Sequence, residues 1–176
     1  MITILDPRGE AGTPIDDYRL RADIQRTGLL IGLVSNGFPD ATTLLTSVGE
    51  ALPRVLDAPQ VNIYARRDAS SQVAPAMADQ VVAECSAVVT AMGHCGSCTS
   101  SAVRDAVTFA RRGLPAVALV SEKFWESAAF VARSVGMPDV PRVRLPHPVS
   151  GTGRDNIAKV ADGIVDEIVR RLGGVA

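Results

Sequence analysis

The sequence predicts a single α/β domain: a doubly wound, mostly parallel sheet of about five strands with helices on both faces. Three observations carry this. Apolar, strand-like runs alternate with segments of helical periodicity from residue 28 onward. The connections between them are short, which favours right-handed βαβ crossovers and therefore a parallel sheet. The runs at 28–34 and 86–92 are almost continuously apolar, as strands covered on both faces are.

The elements follow in order. Ile2-Thr3-Ile4-Leu5 reads as a short edge strand, and the rest of residues 1–27 as an arm that wraps the surface or a partner subunit. Residues 28–176 form the thiol-site domain. The first strand, 28–34, ends at Ser35-Asn36-Gly37. A helix then opens near Phe38-Pro39-Asp40, with Pro39 or Asp40 in its first turn and Leu44, Leu45, Val48, Leu52 and Leu56 at helical spacing. A second strand at 61–65 alternates in character. A polar linker, 66–71, leads to a helix over 75–84. The third strand, 86–92, is broken by Gly93, and 94–100 reads as a loop. A helix follows from about Ser100 to Arg112, with Gly113 as its stop. The fourth strand is 115–120. Ser121 is the expected cap of a helix through about Val135, ended by Gly136. A short fifth strand covers 143–145. A final helix carries Ile157, Val160, Ile164, Ile168 and Leu172 on one face. The layering is that of Rossmann and flavodoxin-like sheets, whose ligands bind outside the carboxyl ends of the strands near the switch point.

Composition narrows the function classes. A chain of 176 residues fits one domain and buries a core without staples. Its formal net charge of −1 gives no global field for nucleic acid or an anionic membrane. No apolar run is long enough for a membrane span. Asp6, Arg8 and Glu10 make the start of the chain unlike a signal peptide. Three cysteines, an odd number, argue against a disulfide scaffold and for a reducing, cytoplasmic compartment.

Two of those cysteines lie in the informative stretch, Gly93-His94-Cys95-Gly96-Ser97-Cys98-Thr99-Ser100-Ser101. Cysteines three apart at a helix start reach disulfide geometry. The partial positive charge and free N–H groups of a helix N-terminus stabilise a thiolate, the reactive form. Gly96 is expected to ease the backbone turn, and Ser97, Thr99 and Ser100 to cap the helix or hydrogen-bond a bound anion. Cys85, which closes a helix ahead of an apolar strand, reads as buried packing. The chain has two histidines. His94 precedes Cys95, and His147 is held in Pro146-His147-Pro148 just past the fifth strand. Either is a candidate base for Cys95. Asn36 and Glu122, at the ends of the first and fourth strands, are candidate substrate contacts. Asp105 reads as a solvated helix charge.

At these residues the chain resembles the UGSC-motif (seleno)protein family, whose members carry Gly-x-[Sec or Cys]-Gly-Ser-Cys-Thr after an apolar strand. Here that motif is Gly93 to Thr99. The likeness extends from about Leu30 to Pro148, through Asn36 and Pro39, Arg112-Gly113-Leu114-Pro115, Ser121-Glu122-Lys123-Phe124, Gly136-Met137-Pro138-Asp139 and Pro146-His147-Pro148. It implies that Cys95 is the attacking chalcogen and Cys98 its resolving partner. The chain departs from the pattern twice: His94 stands where Asp is expected, and Phe38 where Lys is expected before the proline.

Three functions are consistent with this reading. The first is a thiol-dependent oxidoreductase: Cys95 attacks a small-molecule substrate, Cys98 resolves the adduct as a disulfide, and a thiol reductant restores the pair. The second is non-redox covalent catalysis, with a histidine base and the backbone amides of residues 96–99 as an oxyanion hole. The third is a metal-binding or non-catalytic subunit, with Cys95, Cys98, His94 and His147 as a zinc set. A phosphatase loop is not supported. Cys98 and Arg104 have the spacing, but Thr99 to Val103 contains no glycine to wrap a phosphate. Ser35 to Pro39 is not a dinucleotide turn, so no NAD or flavin is expected as cofactor. A homo- or hetero-oligomer would give residues 1–27 a place.

Overall fold

The structure, a computed structural model, describes residues 13–173. Five parallel strands form one sheet in the order β2-β1-β3-β4-β5. They are β1 (Leu30–Ser35), β2 (Gln60–Ala65), β3 (Ala87–Gly93), β4 (Ala116–Ser121) and β5 (Arg142–Leu145). The helices are α1 (Ala41–Ala51), α2 (Pro75–Glu84), α3 (Gly96–Arg111), α4 (Trp125–Ser134) and α5 (Arg154–Gly173). One side of the sheet is covered by α1 and α5, the other by α2, α3 and α4. The doubly wound α/β architecture expected from the alternation is therefore present. The strand order reverses between β1 and β3, which places the switch point beside the cysteine motif.

Burial explains which strands the sequence announced. Every residue of β3 and β4 is buried, as are all of β1 after Leu30. Each fully buried Leu or Ile there contributes about 1.5–3 kcal/mol of transfer free energy. β2 is an edge strand in which only Tyr64 is buried, so its expected alternation does not mark a half-buried face. Glycines stop two helices as anticipated. At Gly113 (φ 83°) and Gly136 (φ 78°) the next two amides fold back on the last turn, Gly113 to Ala110 and Leu114 to Phe109, Gly136 to Arg133 and Met137 to Ala132. The positive φ is the reason for glycine at both positions.

Several boundaries differ from the expectation. α1 ends at Ala51 and passes into a 3-10 turn at Leu52–Arg54, because Pro53 has no N–H for a helical bond; Leu56 lies beyond it. Ser121 is the last residue of β4 rather than a cap, and a 3-10 turn at Glu122–Phe124 precedes α4. The largest shift is at α3, which begins at Gly96 instead of Ser100, so the expected loop at 94–100 shrinks to His94 and Cys95.

The proposed strand at residues 2–5 lies outside the described residues. Residues 13–29 carry no helix or strand and wrap their own chain. The Asp16 amide donates to Gly136 O (2.7 Å), the Ala22 amide to Leu172 O (2.8 Å), and the Tyr18 hydroxyl pairs with the backbone of Ala116. Ala116 opens β4, so this strap runs across the amino ends of the strands, opposite the cysteine motif. No helix among the described residues is long and apolar enough to cross a membrane.

Candidate functional site

Cys95 is the N-cap of α3, and the two cysteines cap the helix reciprocally. The Cys98 amide donates to Cys95 Sγ (3.2 Å), while the Cys95 and His94 amides donate to Cys98 Sγ (2.6 and 3.3 Å). This is a capping box with sulfur in both side-chain roles. It explains why α3 starts early: the caps that sequence rules look for are hydroxyls and carboxylates. The sulfurs are joined as a disulfide, with the Cα atoms 5.3 Å apart. Cys95 is half-buried and Cys98 is fully buried. An outer sulfur meets the solvent, and an inner sulfur rests on backbone amides.

The close approach of α3 to β3 depends on Gly93. A Cβ there would lie 3.1 Å from Thr99 Oγ1 and from Val120 Cγ2, and 3.2 Å from Thr99 Cα. The Thr90 hydroxyl donates to Ala102 O (2.8 Å) and fixes the next turn. Gly96 is different. Open space surrounds its Cβ direction and its φ is not in the left-handed region, so the expected easing of the turn is not what this glycine does.

The other predicted residues divide into those that reach the site and those that hold it. Ser97 is exposed, with Oγ 3.6 Å from Cys95 Sγ. The Ser100 hydroxyl accepts from Arg104 Nε (3.2 Å), which ties that arginine along α3. Thr99, expected to cap or to meet an anion, is buried against Gly93 with no polar partner for its hydroxyl. Asn36 is fully buried. Its Oδ1 accepts from the Met92 and Phe38 amides (3.0 and 3.2 Å), and its Nδ2 donates to Met92 O and Cys98 O (both 3.2 Å). Both hydrogens and both lone pairs are thus spent. Asn36 braces the switch point and has nothing left for a substrate. Glu122 is exposed at the end of β4.

The two histidines, 53 residues apart in sequence, stack with ring centroids 4.5 Å apart. Phe38 and Phe124 flank them, 5.3 Å from His94 and 5.9 Å from His147. Four loops, after β1, β3, β4 and β5, therefore contribute one row of rings. Phe38 and His94, the two departures from the motif pattern, touch each other and form one contact. His94 Nε2 accepts from the Val149 amide (3.0 Å), so its proton is on Nδ1. Burial, then the neighbouring His147, push the His94 pKa below its ordinary value and favour the neutral ring. His147 Nδ1 is 3.2 Å from Ser121 Oγ. When Nδ1 donates there, Nε2 is the free acceptor.

Sequence reasoning missed a buried ion pair behind α3. Arg66, at the end of β2, donates to Asp105 Oδ2 (2.6 Å), Ser101 Oγ (2.5 Å) and Ser71 O (2.8 Å). Asp105 Oδ1 accepts from the Val73 amide (2.8 Å). Asp105 is 1% exposed, so it is not the solvated charge its position on a helix suggested. Burial raises its pKa and Arg66 opposes that. A signal existed: Asp105 shares a helix face with Ala102, Ala106 and Phe109, all buried.

A groove of about 310 Å³ between α1 and α5, lined by Thr42, Thr46, Glu50 and Arg154 among others, includes none of these residues. Among the described residues, no three His, Cys, Asp or Glu side chains converge as a metal ion would require.

Fold and motif together define a parallel α/β protein of flavodoxin-like strand order, with a Cys-x-x-Cys pair joined as a disulfide at the switch point. The chain belongs to the UGSC family, whose family model matches residues 3–174. The match extends well beyond the stretch that carried the resemblance. No curated protein matches the chain. Solved structures give remote likenesses. A diflavin flavoprotein A3 from Nostoc sp. is 10% identical, with TM-score 0.41 over 83% of this chain and 97% of the other. A flavodoxin-like domain from Synechococcus sp. is 12% identical, with TM-score 0.36 over 81% and 99%. The lactose-specific IIB component domain of the phosphotransferase system of Streptococcus pneumoniae is 9% identical, with TM-score 0.33 over 82% and 98%. These likenesses say nothing of chemistry.

Proposed function

We propose that this protein is a thiol-dependent oxidoreductase acting on a small molecule with an electrophilic sulfur, such as a disulfide. The observation that carries the reading is the Cys95–Cys98 pair itself: an outer sulfur open to solvent, joined to an inner one held by amides at a helix N-terminus. In the first step Cys95 gives its proton to His147 Nε2 and attacks one sulfur of the substrate. The substrate S–S bond breaks, and the leaving thiolate takes the proton. In the second step Cys98 attacks Cys95 Sγ and forms the intramolecular disulfide; the bond from Cys95 to the substrate sulfur breaks, and the proton that Cys98 loses passes to that departing sulfur, which leaves as the second thiol. Two electrons pass from the protein to the substrate, and an external dithiol returns them.

His147 is the base because the accepting nitrogen of His94 is already committed to Val149. The non-redox alternative is less well supported by the site. Of the amides that would form its oxyanion hole, Cys98 donates to Cys95 Sγ and Thr99 to Cys95 O.

Alkylation of the reduced chain by iodoacetamide, followed by intact mass and peptide mapping from pH 5 to 9, tests the reading. Cys95 should label at mildly acidic pH while Cys85, which burial pushes to a higher pKa, stays unlabelled. His147→Gln should slow Cys95 labelling below pH 7 by roughly tenfold or more, in line with the ~10²–10⁴-fold effect of a positioned base. Labelling of Cys95 only near its free-thiol pKa of about 8.5 would refute the activated thiol.

A further inference from the structure

We propose that Asp40 is a positioning residue of this site, one whose carboxylate anchors the loop after β5 so that Val149 holds His94 in a single tautomer beneath His147. The inference rests on the reading of the histidine pair given above.

Asp40 is anomalous in two respects. Its backbone is left-handed, with φ 65° and ψ 1°, a region that non-glycine residues rarely occupy and that Asp and Asn tolerate best. It stands at the N-cap of α1, where Asp is among the strongest caps, yet its side chain makes no capping bond to that helix. Both are local penalties, and local penalties that persist mark a position whose geometry serves something else.

The carboxylate is used elsewhere. Oδ2 accepts from the Gly151 amide (2.8 Å) and from the Ser150 hydroxyl (3.4 Å), 110 residues away in sequence. The next residue back, Val149, donates its amide to His94 Nε2 (3.0 Å). Two residues further back is His147, stacked on His94. Val149 is buried in the core and its carbonyl accepts from Thr152 (hydroxyl 2.6 Å, amide 3.3 Å), while Ser150 and Gly151 are half-buried and exposed, so the Asp40 carboxylate is what ties this turn to the start of α1. The left-handed turn at Asp40 aims the carboxylate across the switch point at this loop instead of down its own helix. The core sets the place of Val149 and the Asp40 acceptor holds the turn that follows it, so the two together aim the Val149 N–H, and that N–H sets which nitrogen of His94 carries the proton. Without the anchor His94 is free to exchange tautomers and His147 loses a fixed stacking partner.

Three full-length proteins decide the matter: the parent, Asp40→Gly and Asp40→Asn. Glycine suits the left-handed backbone, so Asp40→Gly removes the carboxylate while relieving strain, and loss of folding does not confound it. Asparagine keeps an oxygen that accepts the same two hydrogen bonds. Long-range ¹H–¹⁵N correlation of the imidazoles reports the tautomers, and iodoacetamide labelling reports Cys95. The parent should show His94 as the Nδ1–H form alone. Asp40→Gly should lose that single tautomer, and Cys95 labelling below pH 7 should fall at least roughly tenfold, part of the ~10²–10⁴ a positioned base supplies. Asp40→Asn should restore both. Retention of the Nδ1–H form in Asp40→Gly would overturn the proposal, and so would failure of Asp40→Asn to restore it. Should all three proteins share the Nδ1–H form while Cys95 is activated as described, this inference fails and the function stands. Should the tautomer respond while Cys95 shows no activation in any of them, the function fails and the anchor stands.

Discussion

Cys98→Ser is expected to hold a disulfide substrate as a stable adduct on Cys95. The change is nearly isosteric and leaves the N-cap, Cys95, in place, and a hydroxyl at this third helical position still accepts from the Cys95 amide, so α3 keeps its N-terminus. What is lost is the inner sulfur, now buried on the amides of His94 and Cys95. Resolution then depends on an external thiol. Well-oriented intramolecular groups act at effective molarities on the order of 10⁵ M or more, so replacing Cys98 by millimolar external thiol should slow release at least about a thousandfold. Intact mass after a pulse of a small aromatic disulfide reads this directly: one adduct per chain in Cys98→Ser, mapped to Cys95, and none in the parent. Rapid loss of the adduct from Cys98→Ser would remove Cys98 from the resolving role.

The second large effect is on stability. Asp105→Ala should cost about 3–5 kcal/mol, because it leaves the Arg66 guanidinium buried without its counter-charge. The side chains of Arg66 and Asp105 are 11% and 1% exposed, so solvent does little to screen the loss. The pair closes residues 66–73 onto α3, through Ser101 Oγ and the Val73 amide as well as the carboxylate. A domain of ordinary stability, about 5–15 kcal/mol, would be left marginal. Urea unfolding gives the number. The double variant Arg66→Met, Asp105→Leu should recover much of the loss, since an apolar pair of similar volume avoids the desolvation that the ion pair only balances. A cost below about 1 kcal/mol for Asp105→Ala would place the pair with ordinary surface bridges.

The layering was readable because the strands that matter are buried on both faces. Runs such as Val88-Val89-Thr90-Ala91-Met92 have one reading in a parallel sheet. The motif's place in the fold was readable for the same reason: β3 ends in it, and a doubly wound sheet places ligands at such an end, which makes it the candidate site. The start of α3 was hidden because Gly96, Ser97 and Cys98 have poor helix propensity and their compensation is a sulfur capping box. Asn36 and Asp105 were misjudged for a different reason. Their partners lie 56 to 62 and 39 residues away along the chain, and no local pattern encodes a hydrogen bond of that span. The stacking of His94 on His147 is equally non-local, although both residues were placed correctly at the carboxyl edge. Asp40 read as a first-turn residue of α1; it stands one place earlier, at the N-cap, and its left-handed backbone and its bond to Gly151 are visible only in the fold.

The most direct test of the central claim is an equilibrium redox titration of the full-length chain in graded mixtures of reduced and oxidised dithiothreitol, quenched by alkylation and read by intact mass. The account predicts one two-electron transition with a slope of about 30 mV per tenfold change in ratio. The oxidised form should be two hydrogens lighter, with the bond mapped to Cys95 and Cys98 and Cys85 still a free thiol. If Cys95 and Cys98 remained alkylatable at every poise, or if the oxidised form paired either of them with Cys85, the redox reading of this site would be contradicted.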